Sequence, residues 1–128
     1  MTSVVEVRAY LNKMGKNRVH TDTIELNIRM AKIEVDMEKH ADATPEVIDA
    51  AILADAGFKS YLAYATEFER SAGRVPVPML EHLQELKEIA KRFRGYAKRG
   101  ASNVAISPIM VLSESAKEWL NVAGTSSN

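Results

Sequence analysis

The sequence predicts an all-α fold: a four-helix, bundle-like domain built around one long central helix, followed by an extended C-terminal arm and a short terminal helix. Residues 44–72 carry apolar side chains at helical spacing over an unusual length, too apolar to lie on a surface. Residues 79–97 repeat a single apolar stripe at steps of four and three. Residues 24–37 carry two such stripes instead of one. The helical domain spans 1–100, and the arm, short helix and tail span 101–128.

The central helix has clear punctuation. Thr44 suits an N-cap, Pro45 the first helical position, and Glu46 puts negative charge in the first turn. Val47, Ala51, Ala54, Phe58, Tyr61, Ala65 and Phe68 then share one face. Ile52, Leu53, Ala56, Leu62 and Tyr64 widen it. Gly73 and the Pro-containing run after it end the helix. Gly57 costs about 1 kcal/mol against Ala in mid-helix, which predicts a slight bend or a close helix contact.

From the N-terminus, Ser3 and Glu6 have capping-box spacing, and Val4, Val7 and Leu11 follow at helical steps. A short first helix to about Leu11 is expected. The polar stretch KMGKNRVHT is a loop carrying Lys13, Lys16 and Arg18, a composition shared by phosphate-binding loops and ordinary solvated ones.

The second helix is expected from the capping pair Asp22–Glu25 to about Lys39. Ile24, Ile28, Ala31 and Val35 form one stripe, and Leu26, Met30, Ile33 and Met37 form another on nearly the opposite side. Glu25, Arg29, Lys32 and Asp36 fill one seam, and Asn27, Glu34 and Glu38 the other. A monomer's surface helix normally has one apolar stripe. Two imply cover on both sides, either inside the chain's own bundle or against another subunit. With so few sizeable helices available, a subunit contact is the expectation.

After Pro76 and Pro78 a fourth helix places Met79, Leu83, Leu86, Ala90, Phe93 and Ala97 against the central one. Its outer face begins acidic and ends basic, which complements the helix dipole, and Glu88–Arg92 has the favourable i, i+4 order. Gly100 closes it. The uncharged, β-branched run 101–112 contains Pro108 and is expected to be extended and only loosely packed in the isolated protein. Val104, Ile106, Ile109, Val111 and Leu112, with Trp119 beside Leu120 in the short helix beyond, are the expected docking residues for a partner.

The 128 residues fit one domain with an ordinary soluble composition, 46% hydrophobic and 27% charged. Lys plus Arg and Asp plus Glu balance at 17 each, so no net field steers the chain to nucleic acid or membrane. Cysteine is absent, which excludes disulfides and thiolate chemistry. No secretory signal is read at the N-terminus, and no membrane association is expected. Phosphate-loop, dinucleotide, zinc-protease and nucleophile-elbow motifs are absent, and so is a helix-turn-helix pattern. His20, His40 and His82 are scattered, and His82 with Glu85 makes at most half a metal site. Neither enzymatic activity nor a cofactor is expected.

The EVRAYL helix at 6–11, the Lys16-Asn17-Arg18 loop, the 22–40 helix with Ile28 and Ala31, and Thr44-Pro45-Glu46-Val47 before an Ala/Leu-rich helix together show a resemblance. From about Val4 to Tyr64 the chain resembles the small helical head–tail connector proteins of tailed bacteriophages, also called head-completion or adaptor proteins. The resemblance implies a structural virion protein, assembled in the host cytoplasm. It implies a homo-oligomeric ring of about a dozen copies beneath the portal protein, joined to tail-side connector proteins, with DNA passing through non-specifically. There are no catalytic residues to carry over. Lys16, Arg18, Lys98 and Arg99 become candidates to face the DNA channel, Leu26, Met30, Ile33 and Met37 to face a neighbouring subunit, and the arm to reach the portal or the next ring. The alternative is an oligomeric regulatory or scaffolding module that binds a protein partner through the same arm.

Overall fold

The structure, a computed structural model, describes residues 2–13 and 17–100 together with Pro108, Ile109 and Val111. Four helices follow one another: α1 (Val4–Asn12), α2 (Thr21–Glu38), α3 (Pro45–Ala72) and α4 (Val77–Lys98). No strand occurs among the described residues. The other three helices all pack on α3.

The caps of α3 are those expected from its sequence. The Thr44 hydroxyl accepts a hydrogen bond from the Val47 N–H, and Gly73 turns the chain at φ 85°. Every residue from Ala51 to Gly57 is buried, so nearly two turns of α3 are covered all the way round. Small side chains make that possible. At Gly57 an added Cβ would lie 2.5 Å from the Tyr10 ring, so α1 crosses where α3 has no side chain. The close contact expected there exists, and its other half is Tyr10, fully buried.

α1 starts as expected, with the Ser3 hydroxyl accepting from the Glu6 N–H. The start of α2 differs. His20 is its N-cap and makes no side-chain capping bond, and Asp22 lies inside the first turn. Arg8 of α1 sets this entry instead, donating to the Val19 carbonyl at 2.6 Å and to the Thr21 hydroxyl at 3.4 Å. α4 starts at Val77, before Pro78, because a proline in the first turn forfeits no helical hydrogen bond. Its Leu86, Ala90, Phe93 and Ala97 are buried against α3, joined by Ile89. The α2–α3 loop is tied to the end of α4 by the His40 N–H, which donates to the Ala97 carbonyl at 2.9 Å. Gly100 closes α4 at φ 71° with His40 directly against it.

The described part of the arm departs from the extended, loosely packed segment expected. Pro108, Ile109 and Val111 have helical backbone. Pro108 and Val111 are buried, Val111 within the core cluster, and Ile109 packs against that cluster. Proline is compatible with the first turn of a helix, and these apolar side chains find cover on the chain's own bundle. Val111 is thus covered, and Ile109 half-covered, by the chain's own bundle. Val104, Ile106, Leu112 and Trp119 lie outside the described residues.

The Tyr10–Gly57 contact yields a first prediction. Gly57→Ala will lower stability by about 1–3 kcal/mol through overpacking, despite the ~1 kcal/mol that Ala gains over Gly in a helix interior. Urea unfolding measures the change. Adding Tyr10→Leu will recover part of the loss, and a stabilised Gly57→Ala single variant would refute the contact.

Candidate functional site

α2 has one apolar stripe inside and one outside. Ile24, Ala31 and Val35 are buried against α3, with Ile28 partly so. On the far side Leu26 is 50% exposed, Met30 44%, Ile33 61% and Met37 82%. From Leu26 to Met37 the outer stripe runs for roughly 16 Å of helix. The chain itself, among the described residues, does not cover it.

The rotation of α2 that leaves this stripe outward is fixed from two directions. The inner stripe fills the core beneath it. Beside it, an ion-pair network joins α2, α3 and α4. Asp55 of α3 is only 2% exposed. Its Oδ1 accepts from the Arg94 guanidinium of α4 at 3.2 Å, and Lys59 Nζ lies 3.0 Å from Oδ2. Arg94 also reaches Glu38 of α2 at 2.5 Å, Lys59 pairs with Glu34, and Lys98 lies 3.7 Å from Glu38. Burial pushes the Asp55 carboxyl up, against the pull of Lys59 and Arg94. The hydrogen bond from Lys59 holds Glu34 below the usual carboxylate range, and that from Arg94 does the same for Glu38.

Glu34 and Glu38, expected in a seam of α2, meet Arg94 of α4 here. Asp55 and Lys59 were not among the residues that the sequence pattern picks out. The available signal was a carboxylate inside the Ala-rich apolar run 50–58, with a lysine at i+4.

Of the four cations considered for a channel, the three among the described residues, Arg18, Lys98 and Arg99, do not form one cluster. Arg18 lines a cleft of about 490 Å³ beside Val19, His20, Tyr64, Phe68 and Ser71, at the C-terminal end of α3. Lys98 and Arg99 sit at the end of α4, past Arg94, which meets Asp55. The 16 residues from Asp55 to Ser71 span roughly 24 Å of α3. Lys16 lies outside the described residues. In the α1–α2 loop, Asn17 donates to the Leu11 carbonyl and accepts from the Val19 N–H, and Val19 is buried. His82 shares a hydrogen bond of 3.2 Å with the Tyr61 hydroxyl. Among the described residues no group of three or more His, Asp or Glu could hold a metal, and no helix is long and apolar enough to cross a membrane.

Comparison with protein-family models, curated proteins and solved structures finds no match to this chain.

The network predicts how stability depends on pH. Glu34 and Glu38 have lowered folded values, so their contribution is present above the ordinary 4.5 and is lost as pH falls through those values. Asp55 is raised, so its effect has the opposite sign: acidification relieves a buried charge. Arg94→Met will cost about 3 kcal/mol near pH 7, because Asp55 loses a partner while staying buried. On acidification from about pH 7 to about pH 5 that variant will regain more stability than the wild type, because loss of the Arg94 cation pushes the Asp55 carboxyl up further. Urea midpoints at the two pH values will show it.

Proposed function

We propose that this chain is a structural virion protein: one subunit of a head–tail connector ring lying between the portal and the tail of a phage particle, with DNA passing through the ring. The observation that carries this reading is the outward stripe Leu26, Met30, Ile33 and Met37, held in place by a packed core and an ion network. A contiguous apolar face on a small helical domain marks an interaction site. In a ring each copy presents such a face to a different face of its neighbour, and rotation closes the set. Helix order and spacing from Val4 to Tyr64 supply the rest of the support, through the likeness to connector proteins described above.

The arm contributes less to this reading than the sequence led one to expect. Ile109 and Val111 lie against the bundle, and the other arm residues considered for docking, Val104, Ile106, Leu112 and Trp119, lie outside the described residues. The same apolar face paired with itself would give a two-fold dimer, as a scaffolding or regulatory module would.

Native mass spectrometry and electron microscopy of the purified chain, alone and mixed with a candidate portal protein, distinguish these readings. The connector reading predicts closed rings of one copy number. Met30→Glu with Ile33→Glu will abolish the rings and leave the helical circular dichroism of the subunit unchanged, because both side chains are already in water. A dimer that never closes into a ring, with or without portal, would favour the scaffolding module. Unfolding of the double variant would place the stripe in the chain's own core.

A further inference from the structure

The outward surface of the second half of α4 is basic beyond what the helix needs. Lys87, Lys91, Arg92, Lys98 and Arg99 are all exposed, and Glu88 is the only carboxylate among them from 87 to 99. At 100° per residue, Lys87, Lys91 and Lys98 fall within about 40° of one another. Arg92 and Arg99 form a second row about 110° further round. Gly95 lies between the rows and adds no side chain, and the buried residues Leu86, Ile89, Ala90, Phe93 and Ala97 occupy the opposite side.

Neither of the ordinary explanations covers these cations. Dipole compensation acts within the last turn, where it can use Lys98 but not Lys87, Lys91 or Arg92. The i, i+4 pairing of Glu88 with Arg92 is not made. Glu88 accepts from the Gln84 amide at 3.0 Å, and Arg92 donates to the Tyr96 hydroxyl at 2.7 Å. Arg92 and Arg99 both lie over the Tyr96 ring, at 5.9 and 5.5 Å from its centre. Among the described residues Lys87 and Lys91 meet no carboxylate at ion-pair distance. Glu34, Glu38 and Asp55 hold Lys59 and Arg94, and of the cations on this face only Lys98 shares them, 3.7 Å from Glu38. A chain of zero net charge thus concentrates cations on one helix face, and Lys87, Lys91, Arg92 and Arg99 there meet no carboxylate among the described residues.

We propose that this face, with Lys87, Lys91 and Arg92 as its principal contacts and Lys98 and Arg99 at its end, binds the phosphate backbone of double-stranded DNA without reading its sequence. The two rows flank a floor that is bare at Gly95, while Glu88, held by the Gln84 amide, stands on the same floor near its start, so phosphates would lie along the Lys91–Arg99 part of the face. From Lys87 to Arg99 the face is roughly 18 Å long, enough to follow a few successive phosphates of one strand. Single-stranded binding needs free aromatic stacking surfaces, and the one aromatic here, Tyr96, is already occupied by two guanidinium groups. Membrane binding needs apolar anchors beside the cations, and this face has none.

The inference deepens the connector reading, but its measurement is independent of assembly. Fluorescence anisotropy with a mixed-sequence duplex, titrated across salt, reads both affinity and the number of phosphates contacted. The wild type will bind weakly, with affinity falling steeply as salt rises. Lys87→Gln with Lys91→Gln will weaken binding about tenfold at low salt and reduce the logarithmic salt slope by about 2. Lys32→Gln, on the exposed seam of α2, will leave both unchanged. Melting followed by circular dichroism will be the same for all three. An unchanged slope in the double variant, an equal loss in the Lys32 control, or binding to phosphatidylserine vesicles in place of the duplex would overturn the proposal. A ring that ignores duplex DNA overturns this inference alone, and a monomer that binds it through these lysines overturns the connector reading alone.

Discussion

Two turns of α3 are buried on every side, and the rest of the molecule follows from that. A helix with water on one side needs a single apolar face, whereas Ala51 to Gly57 has no solvent side at all. Three other helices must therefore surround it, and the small residues Ala51, Ala54, Ala56 and Gly57 let them come close. The same enclosure traps Asp55. A carboxylate this deep is tolerated only with partners, and Lys59 and Arg94 provide them. Arg94 in turn draws in Glu38, so the cost of burying one charge in α3 fixes how α2 and α4 sit beside it.

That rotation of α2 decides what the surface offers. With Ile24, Ala31 and Val35 packed inward and Glu34 and Glu38 turned towards α3 and α4, Leu26, Met30, Ile33 and Met37 have nowhere to point but out. Methionine is overrepresented at such adaptable contact faces because its flexible thioether fits irregular partners. The apolar face of α2 and the basic face of α4 are distinct surfaces set by one scaffold. A connector subunit needs both kinds, one for its neighbours and one for what passes by.

The helices were legible in the sequence because their signals are local. Thr44-Pro45 and Gly73 mark the ends of α3 through single-residue backbone chemistry, and the stripes of α2 and α4 follow from period alone. Features that depend on contact between distant residues were not legible. The start of α2 is set by Arg8 reaching across from α1, so the Asp22–Glu25 pattern pointed two residues too late. Period places Arg94 on a polar flank but says nothing of the buried Asp55 beside it. The helical backbone of Pro108, Ile109 and Val111 was not legible either, because cover for Ile109 and Val111 comes from the distant bundle and not from their neighbours in sequence. Of the candidate surfaces, the α2 stripe was visible as a periodicity. The α4 face is visible in the sequence only as an excess of charge, because the partners of Glu88 and Arg92, Gln84 and Tyr96, are set by side-chain geometry that period does not give.

The central claim is that the outer face of α2 is covered by another copy of this chain. Methionine oxidation by hydroxyl-radical footprinting tests it at atoms that belong to that face, since sulfoxide formation follows solvent access. In the dissociated subunit Met37, at 82% exposure, and Met30, at 44%, will oxidise readily. In the assembled protein both will be protected, while Met79, on α4 away from the stripe, will react at the same rate in either state. Equal oxidation of Met30 and Met37 before and after assembly would show that the stripe stays in water, and the account of α2 as the subunit contact would be wrong.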